Sequence, residues 1–323
     1  MKKVLVTGAA GFIASYVCKL LSKQGVHVVA IDNMNDYYDL RLKEYRLHEI
    51  QKLSNLVFYK MDIEDREALN TLFGQHKFDV VFNLAARAGV RYSMENPHIY
   101  MSTNAQGSLN LLDVMNKYKV KKFVLASTSS LYAGQKMPFM EDLAVNTPIS
   151  PYAASKKAAE VMAYSYHYLY DMDISIVRYF TVYGPAGRPD MSIFRFIKWI
   201  DCHEKLELFG DGGQSRDFTY VEDIAHGTVL AAKNLGYEII NLGGGKNPIS
   251  LNTVIAEIEK YLGKKAIIQE QEFHRADIKE TWADISKAER LLGWKPQTLF
   301  NQGLVETIEW YKNNSNWLRN LHL

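Results

Sequence analysis

The chain has 323 residues, 47% of them hydrophobic, and a formal net charge of +2. That length exceeds one minimal core and predicts about two lobes. The near-balanced charge excludes a dedicated nucleic-acid face or anionic membrane surface, so any phosphate site must be local. Cys18 and Cys202 are far apart and lack metal-ligand spacing; reduced thiols and no metal are expected. Met1-Lys-Lys runs directly into a strand and no later stretch suits a bilayer, which predicts a soluble, cytoplasmic protein.

In chain order, Val4 to Val6, Val26 to Ile31, Leu56 to Tyr59, Val80 to Leu84, Phe123 to Ala126 and Ile174 to Val177 are short β-branched runs separated by longer amphipathic ones. Continuously apolar strands with helical crossovers predict an α/β fold built on a Rossmann-type doubly wound parallel sheet, with ligands at the carboxyl ends of its strands. After Gly184-Pro185 the order changes. A helix around Phe194 to Ile200, a strand Leu206 to Phe209 and a Gly-rich turn at 210–213 predict a smaller, discontinuous α/β substrate-binding lobe. Ile239 to Leu242 is expected to rejoin the first sheet. The predicted division is 1–180 with about 217–245 for the dinucleotide lobe, and 181–216 with 246–323 for the smaller one. Helices near Leu251 to Leu262 and Ser286 to Leu292 are assigned to the latter.

Thr7-Gly-Ala-Ala-Gly-Phe-Ile-Ala14 follows the first strand. Gly8, Gly11 and Ala14 have the spacing for a sharp strand-to-helix turn, close backbone approach to a pyrophosphate, and tight helix packing. Asp32 ends the second strand about 20 residues on, where a carboxylate accepts from both ribose hydroxyls and repels a 2′-phosphate; this favours NAD over NADP. Asp62 is placed either at the adenine amino group or at a helix N-cap before Glu64-Asp65. Ala85 and Ala86 are small enough to let the cofactor approach, or serve packing alone.

Tyr152-Ala-Ala-Ser-Lys156 sets a phenol and an ammonium one helical turn apart. Such a pair is common on surface helices, but Ser127-Thr-Ser-Ser130 at the end of the fifth strand places a row of hydroxyls where a substrate would lie. Tyr152 is the expected base, its pKa lowered by Lys156 and by the nicotinamide charge. A drop of about 3 units requires about 4 kcal/mol. Thr128 is expected to orient the reacting oxygen and help carry its proton.

Seven ordered segments carry a resemblance over essentially the whole chain. They are Thr7 to Ile13, Ile31-Asp-Asn33 with Asn35 to Tyr38, Asn83 to Tyr92, Tyr152 to Lys156, Arg178 to Pro185, Gly187 to Met191, and Arg216 to Tyr220. The chain resembles the extended short-chain dehydrogenase/reductase family, in particular its nucleotide-sugar 4-epimerases and most closely the UDP-glucuronate 4-epimerases. The resemblance implies an NAD-dependent enzyme and adds Phe12, Ile13, Asn33, Ile63, Leu84 and Tyr179 to the cofactor site. It implies a UDP-sugar contacted by Ser127, Thr128, Ser129, Thr181, Arg188, Arg216 and Asp277, with Arg275 a further member of that cluster. It also implies a homodimer paired through helices around 104–118 and 152–168, with Leu109, Leu112 and Met115 as an apolar stripe that could equally face the protomer's own sheet. Tyr92, Met94 and Phe194 are further candidates for bordering the substrate, or for packing.

Dehydratases and decarboxylases of this kind carry acidic residues just after the catalytic threonine, whereas this chain has Ser129 and Ser130. Without a second base, a 4-keto sugar can only take its hydride back, which implies epimerisation. Thr181 and Arg188 resemble the uronate-type pattern. The expected reaction interconverts UDP-glucuronate and UDP-galacturonate; the alternatives are the UDP-glucose/UDP-galactose pair and a non-catalytic NAD-sensing protein.

Overall fold

The computed structural model describes residues 1–245, 248–272 and 279–322. Its large sheet contains β1 (Lys3–Thr7), β2 (His27–Asp32), β3 (Leu56–Lys60), β4 (Val80–Asn83), β5 (Lys122–Thr128) and β6 (Asp173–Tyr179). Four short strands follow: β7 (Thr181–Tyr183), β8 (Lys205–Phe209), β9 (Ser215–Arg216) and β10 (Phe218–Tyr220). Then come β11 (Tyr237–Leu242), β12 (Ile249–Ser250) and β13 (Ile267–Gln271). The large sheet runs β11-β6-β5-β4-β1-β2-β3, every neighbour parallel. Strand order therefore reverses between β1 and β4, the crevice where doubly wound sheets bind ligands.

β1, β4 and β5 are buried at nearly every position, as their unbroken Val, Leu and Phe runs require when helices cover both faces. One cluster packs Val4, Val6, Val28, Phe82 and Val124 on one side of the sheet; another packs Leu5, Val29, Val81, Phe123 and Ile174 on the other. A third core gathers Tyr183, Ile193, Phe196, Leu206, Phe218, Val254 and Ile308 around the short sheets β7/β10 and β8/β13.

Three details differ from the sequence expectation. The helix Ser286–Leu292 packs Ala288 and Leu292 into the first cluster, and the Trp294 indole just beyond it donates to Asp223 O at 2.9 Å, so this segment lies on the large sheet. The helix Phe300–Asn313 was not foreseen; Leu304, Ile308 and Tyr311 fill the third core. Leu112 and Met115 face the protomer's own second cluster, while Val161, Tyr164, Tyr168 and Leu169 on the helix Pro151–Tyr170 are exposed. Among the described residues, no helix is long and apolar enough to cross a membrane.

Candidate active site

At the carboxyl end of β1, Gly8 adopts φ +68°. A Cβ there would stand 2.8 Å from the backbone of Ala85, and one on Gly11 would stand 2.7 Å from Gly8 O. Only glycine lets these two chain segments touch. Thr7 fixes the contact, donating to Asn83 Oδ1 at 2.7 Å and accepting from Ala85 N at 3.1 Å. The helix Phe12–Lys23 then starts with its amino end toward the crevice, the arrangement that receives a pyrophosphate.

Asp32 is buried, accepting from Ala10 N at 3.1 Å and Met34 N at 2.8 Å, with Lys43 Nζ 4.0 Å away. Burial brings the Lys43 ammonium down to about 8, with Asp32 pulling the other way. Asp62 accepts from Asn33 Nδ2 at 2.7 Å and Glu64 N at 2.9 Å. The N-cap of the following helix is Asp65, which accepts from Ala68 N, so the capping alternative for Asp62 falls away.

The helix Pro151–Tyr170 is capped by Ser150, whose side chain accepts from Ala153 N, with proline in its first turn, both standard devices for fixing a helix start. Tyr152 and Lys156 rise from that start toward Ala126 to Ser130 at the end of β5. The Lys156 ammonium donates to Ala126 O at 2.9 Å and is brought down to about 8 by burial, against which the Glu160 carboxylate acts. The expected acidification, by Lys156 and the nicotinamide charge together, works against the burial of the phenol. Burial pushes Tyr152 above its ordinary value, and the opposing influences are a hydrogen bond with Thr128 and the charge of Arg188. Desolvation outweighs both because the phenolate would lose its water in a closed site.

A cleft of about 480 Å³ joins these elements. It is lined by Gly8, Gly11, Phe12, Ile13, Asp32, Asn33, Asp62, Ile63, Leu84, Ala85, Ala86, Thr128, Tyr152, Lys156 and Tyr179, and also by Ser127, Ser129, Thr181, Arg188 and Arg216. Asp277 and Arg275 lie outside the described residues. Tyr92, Met94 and Phe194 are not among the lining residues. Phe194 packs in the third core and also lines a small neighbouring pocket beside Thr181 and Arg188. Arg216 donates from Nη1 to Ser215 O at 2.9 Å and Lys279 O at 3.3 Å. The adjacent Asp217 is buried and accepts from Ala283 N at 2.9 Å and Gly245 N at 3.2 Å.

Sequence reasoning missed Tyr37 and Arg87. The Tyr37 ring has two guanidinium groups near it, Arg87 at 5.7 Å and Arg188 at 5.9 Å, within cation–π range. Arg87 Nε is buried without a hydrogen-bond partner among the described residues. Its backbone is held by Asn104, which accepts from Arg87 N at 2.8 Å and donates to Arg87 O and Ser155 Oγ at 2.9 Å each. Asn104 sits in a π-helical turn, Met101–Gln106, a feature that often marks functional positions.

Sheet topology, glycine turn and the Thr-Tyr-Lys group at the cleft together define a Rossmann-type dinucleotide enzyme of the short-chain dehydrogenase/reductase class. Residues 5–307 match the family model described as GDP-mannose 4,6 dehydratase, and the chain belongs to that family. A UDP-glucuronate 4-epimerase from Thermodesulfobacterium geofontis is 57% identical over 98% of both chains. The crystal structure of a UDP-glucuronic acid 4-epimerase from Bacillus cereus, in complex with UDP-glucuronic acid and NAD, superposes with a TM-score of 0.91 at 38% identity. It covers 97% of this chain and 99% of that one. A Thermotoga maritima UDP-glucose 4-epimerase with UDP-glucose gives 0.88 at 30% identity, with the same coverage.

Proposed function

We propose that this protein is an NAD-dependent epimerase that inverts carbon 4 of UDP-glucuronate to give UDP-galacturonate through a transient 4-keto sugar. The observation that carries the reading is the placement of Thr128 against a half-buried Tyr152, with Ser129 and Ser130, and no carboxylate, next along the chain. The glycine turn fits NAD, since a side chain at either Gly8 or Gly11 would close it. Bound there, NAD supplies a reversible acceptor for the carbon-4 hydride and a positive charge that favours phenolate.

In this reading Tyr152 takes the 4-hydroxyl proton beside or through Thr128, and returns it after the sugar has turned over. Lys156, tethered to Ala126 O, carries its charge one helical turn from Tyr152. Asp32 and Asp62 hold the adenosine end. Arg188 and Arg216 grip the nucleotide-sugar phosphates or the carbon-6 carboxylate, a task suited to permanently charged guanidinium groups, while Ser129 and Thr181 supply neutral donors. The sugar must be held loosely and the nucleotide firmly, so that opposite ring faces present in turn.

We assign residues 1–180 with about 217–245 to the cofactor lobe and 181–216 with 246–323 to the substrate lobe, excepting the helix Ser286–Leu292. We also propose a cytoplasmic homodimer. Val161, Tyr164, Tyr168 and Leu169 share one face of the helix Pro151–Tyr170 and are 51–75% exposed; an apolar stripe of this kind invites a second copy.

The reaction is tested by incubating purified protein with UDP-glucuronate and with UDP-glucose, without added reductant, and separating the products. Formation of UDP-galacturonate is expected. Equilibration of the glucose pair alone would reject the uronate reading.

A further inference from the structure

The segment that carries Arg188 into the cleft is held from the other half of the molecule. Arg46, on the helix Leu40–Gln51, is 1% exposed. Its Nε donates to Ala186 O at 2.8 Å and its Nη2 to Gly187 O at 2.9 Å. Nη1 turns the opposite way, to Ala10 O at 3.3 Å in the glycine turn and to the Tyr38 hydroxyl at 2.5 Å. From the neighbouring helix Phe12–Lys23, the Tyr16 hydroxyl donates to Pro185 O at 3.0 Å. Three successive carbonyls, at 185, 186 and 187, are therefore all received by side chains that belong to the dinucleotide lobe.

The loop needs such support. Ala186 sits at φ +56°, a left-handed conformation that costs an alanine on the order of 1 kcal/mol. Among the described residues, the Arg46 guanidinium meets carbonyls and a phenol and forms no ion pair with a carboxylate. A charge buried without its counter-charge is expensive, and an apolar residue would serve simple packing better. Arg46 is absent from the cleft lining, yet Ala10, one of its partners, donates its own N–H to Asp32 at 3.1 Å. One side chain thus spans the turn that receives the cofactor and the loop that delivers Arg188.

We propose that Arg46, helped by Tyr16, is a positioning residue that fixes loop 184–188 against the dinucleotide turn, so that the affinity for the UDP-sugar depends on a side chain that does not touch it. This rests on the substrate reading above. Arg188 would contact the substrate before and during the chemical step alike, so displacing it weakens binding more than turnover.

The test uses Arg46→Lys and Tyr16→Phe enzymes with their resident cofactor. Arg46→Lys keeps a charge but loses the fork, and is expected to raise KM for UDP-glucuronate about tenfold while kcat falls less than about threefold and NAD content is unchanged. Tyr16→Phe, which removes a single hydrogen bond at little risk to folding, is expected to raise KM about threefold. An unchanged KM in folded Arg46→Lys, or a loss confined to kcat or to NAD content, overturns the proposal. If Arg46→Lys does not fold, Tyr16→Phe decides, and an unchanged KM there overturns it. A wild-type enzyme that turns over only UDP-glucose would refute the substrate reading instead, and the same KM comparison made with that sugar then judges Arg46 separately.

Discussion

The Ser127 hydroxyl donates to Glu160 Oε1 at 2.6 Å, within a group where Glu160 also accepts from Arg178 Nε at 2.9 Å and Nη2 at 2.7 Å. Arg178 and Glu160 side chains are each 1% exposed. Although Ser127 lines the cleft, its proton is committed inward and it offers a substrate carboxylate no donor. Ser127→Ala should change KM for UDP-glucuronate less than about twofold and cost about 1 kcal/mol of stability. Glu160→Gln, which strips a buried arginine of its counter-charge, should cost about 3–5 kcal/mol in urea unfolding. A tenfold KM rise in Ser127→Ala would contradict this assignment.

Tyr152→Phe should leave NAD bound and lower turnover by about two to four orders of magnitude. The pH profile should carry a second signature. Lys156 is brought down to about 8; above that pH it becomes neutral and its field on the phenol disappears. The wild-type kcat/KM should therefore decline through about pH 8. Glu160→Gln removes the charge that holds Lys156 up, so in its folded fraction the decline should begin at lower pH. A profile flat to pH 10 would exclude an ionised Lys156 from the reaction.

Gly8→Ala should release the cofactor. The added methyl meets the Ala85 backbone at 2.8 Å in a left-handed conformation, and neither side can yield without moving β1 or β4. A stability loss of about 1–3 kcal/mol is expected, with sub-stoichiometric NAD measured after denaturing the purified protein.

Replacing Tyr164 and Tyr168 together by glutamate should convert a dimer to a monomer in light scattering, because both are exposed on one face of the helix Pro151–Tyr170. A wild-type protein of monomer mass would remove the proposed assembly.

The strands of the large sheet are legible in the sequence because β-branched runs buried on two faces leave little ambiguity; β1, β5 and β6 each extend the expected run by only a few residues. The cleft residues at or just after strand ends, such as Gly8, Asp32 and Thr128, are legible for the same reason: topology fixes where strand ends point. Arrivals from elsewhere are not. Tyr37 and Arg87 enter from irregular segments, and the π-helical turn at Met101–Gln106 has no periodic signature. Arg46 did leave a trace. It occupies the position between Leu42 and Ile50 on the buried stripe of its helix, where four-residue spacing calls for an apolar side chain.

Asp217 draws together amides from two remote stretches, at Gly245 and Ala283. Chain at this point is therefore sewn to chain far downstream, and no single splice detaches the lobe proposed to bind the sugar. Grafting that portion from a relative with a different sugar preference would require several coordinated junctions, so retuning this scaffold is better pursued one side chain at a time than by exchanging modules.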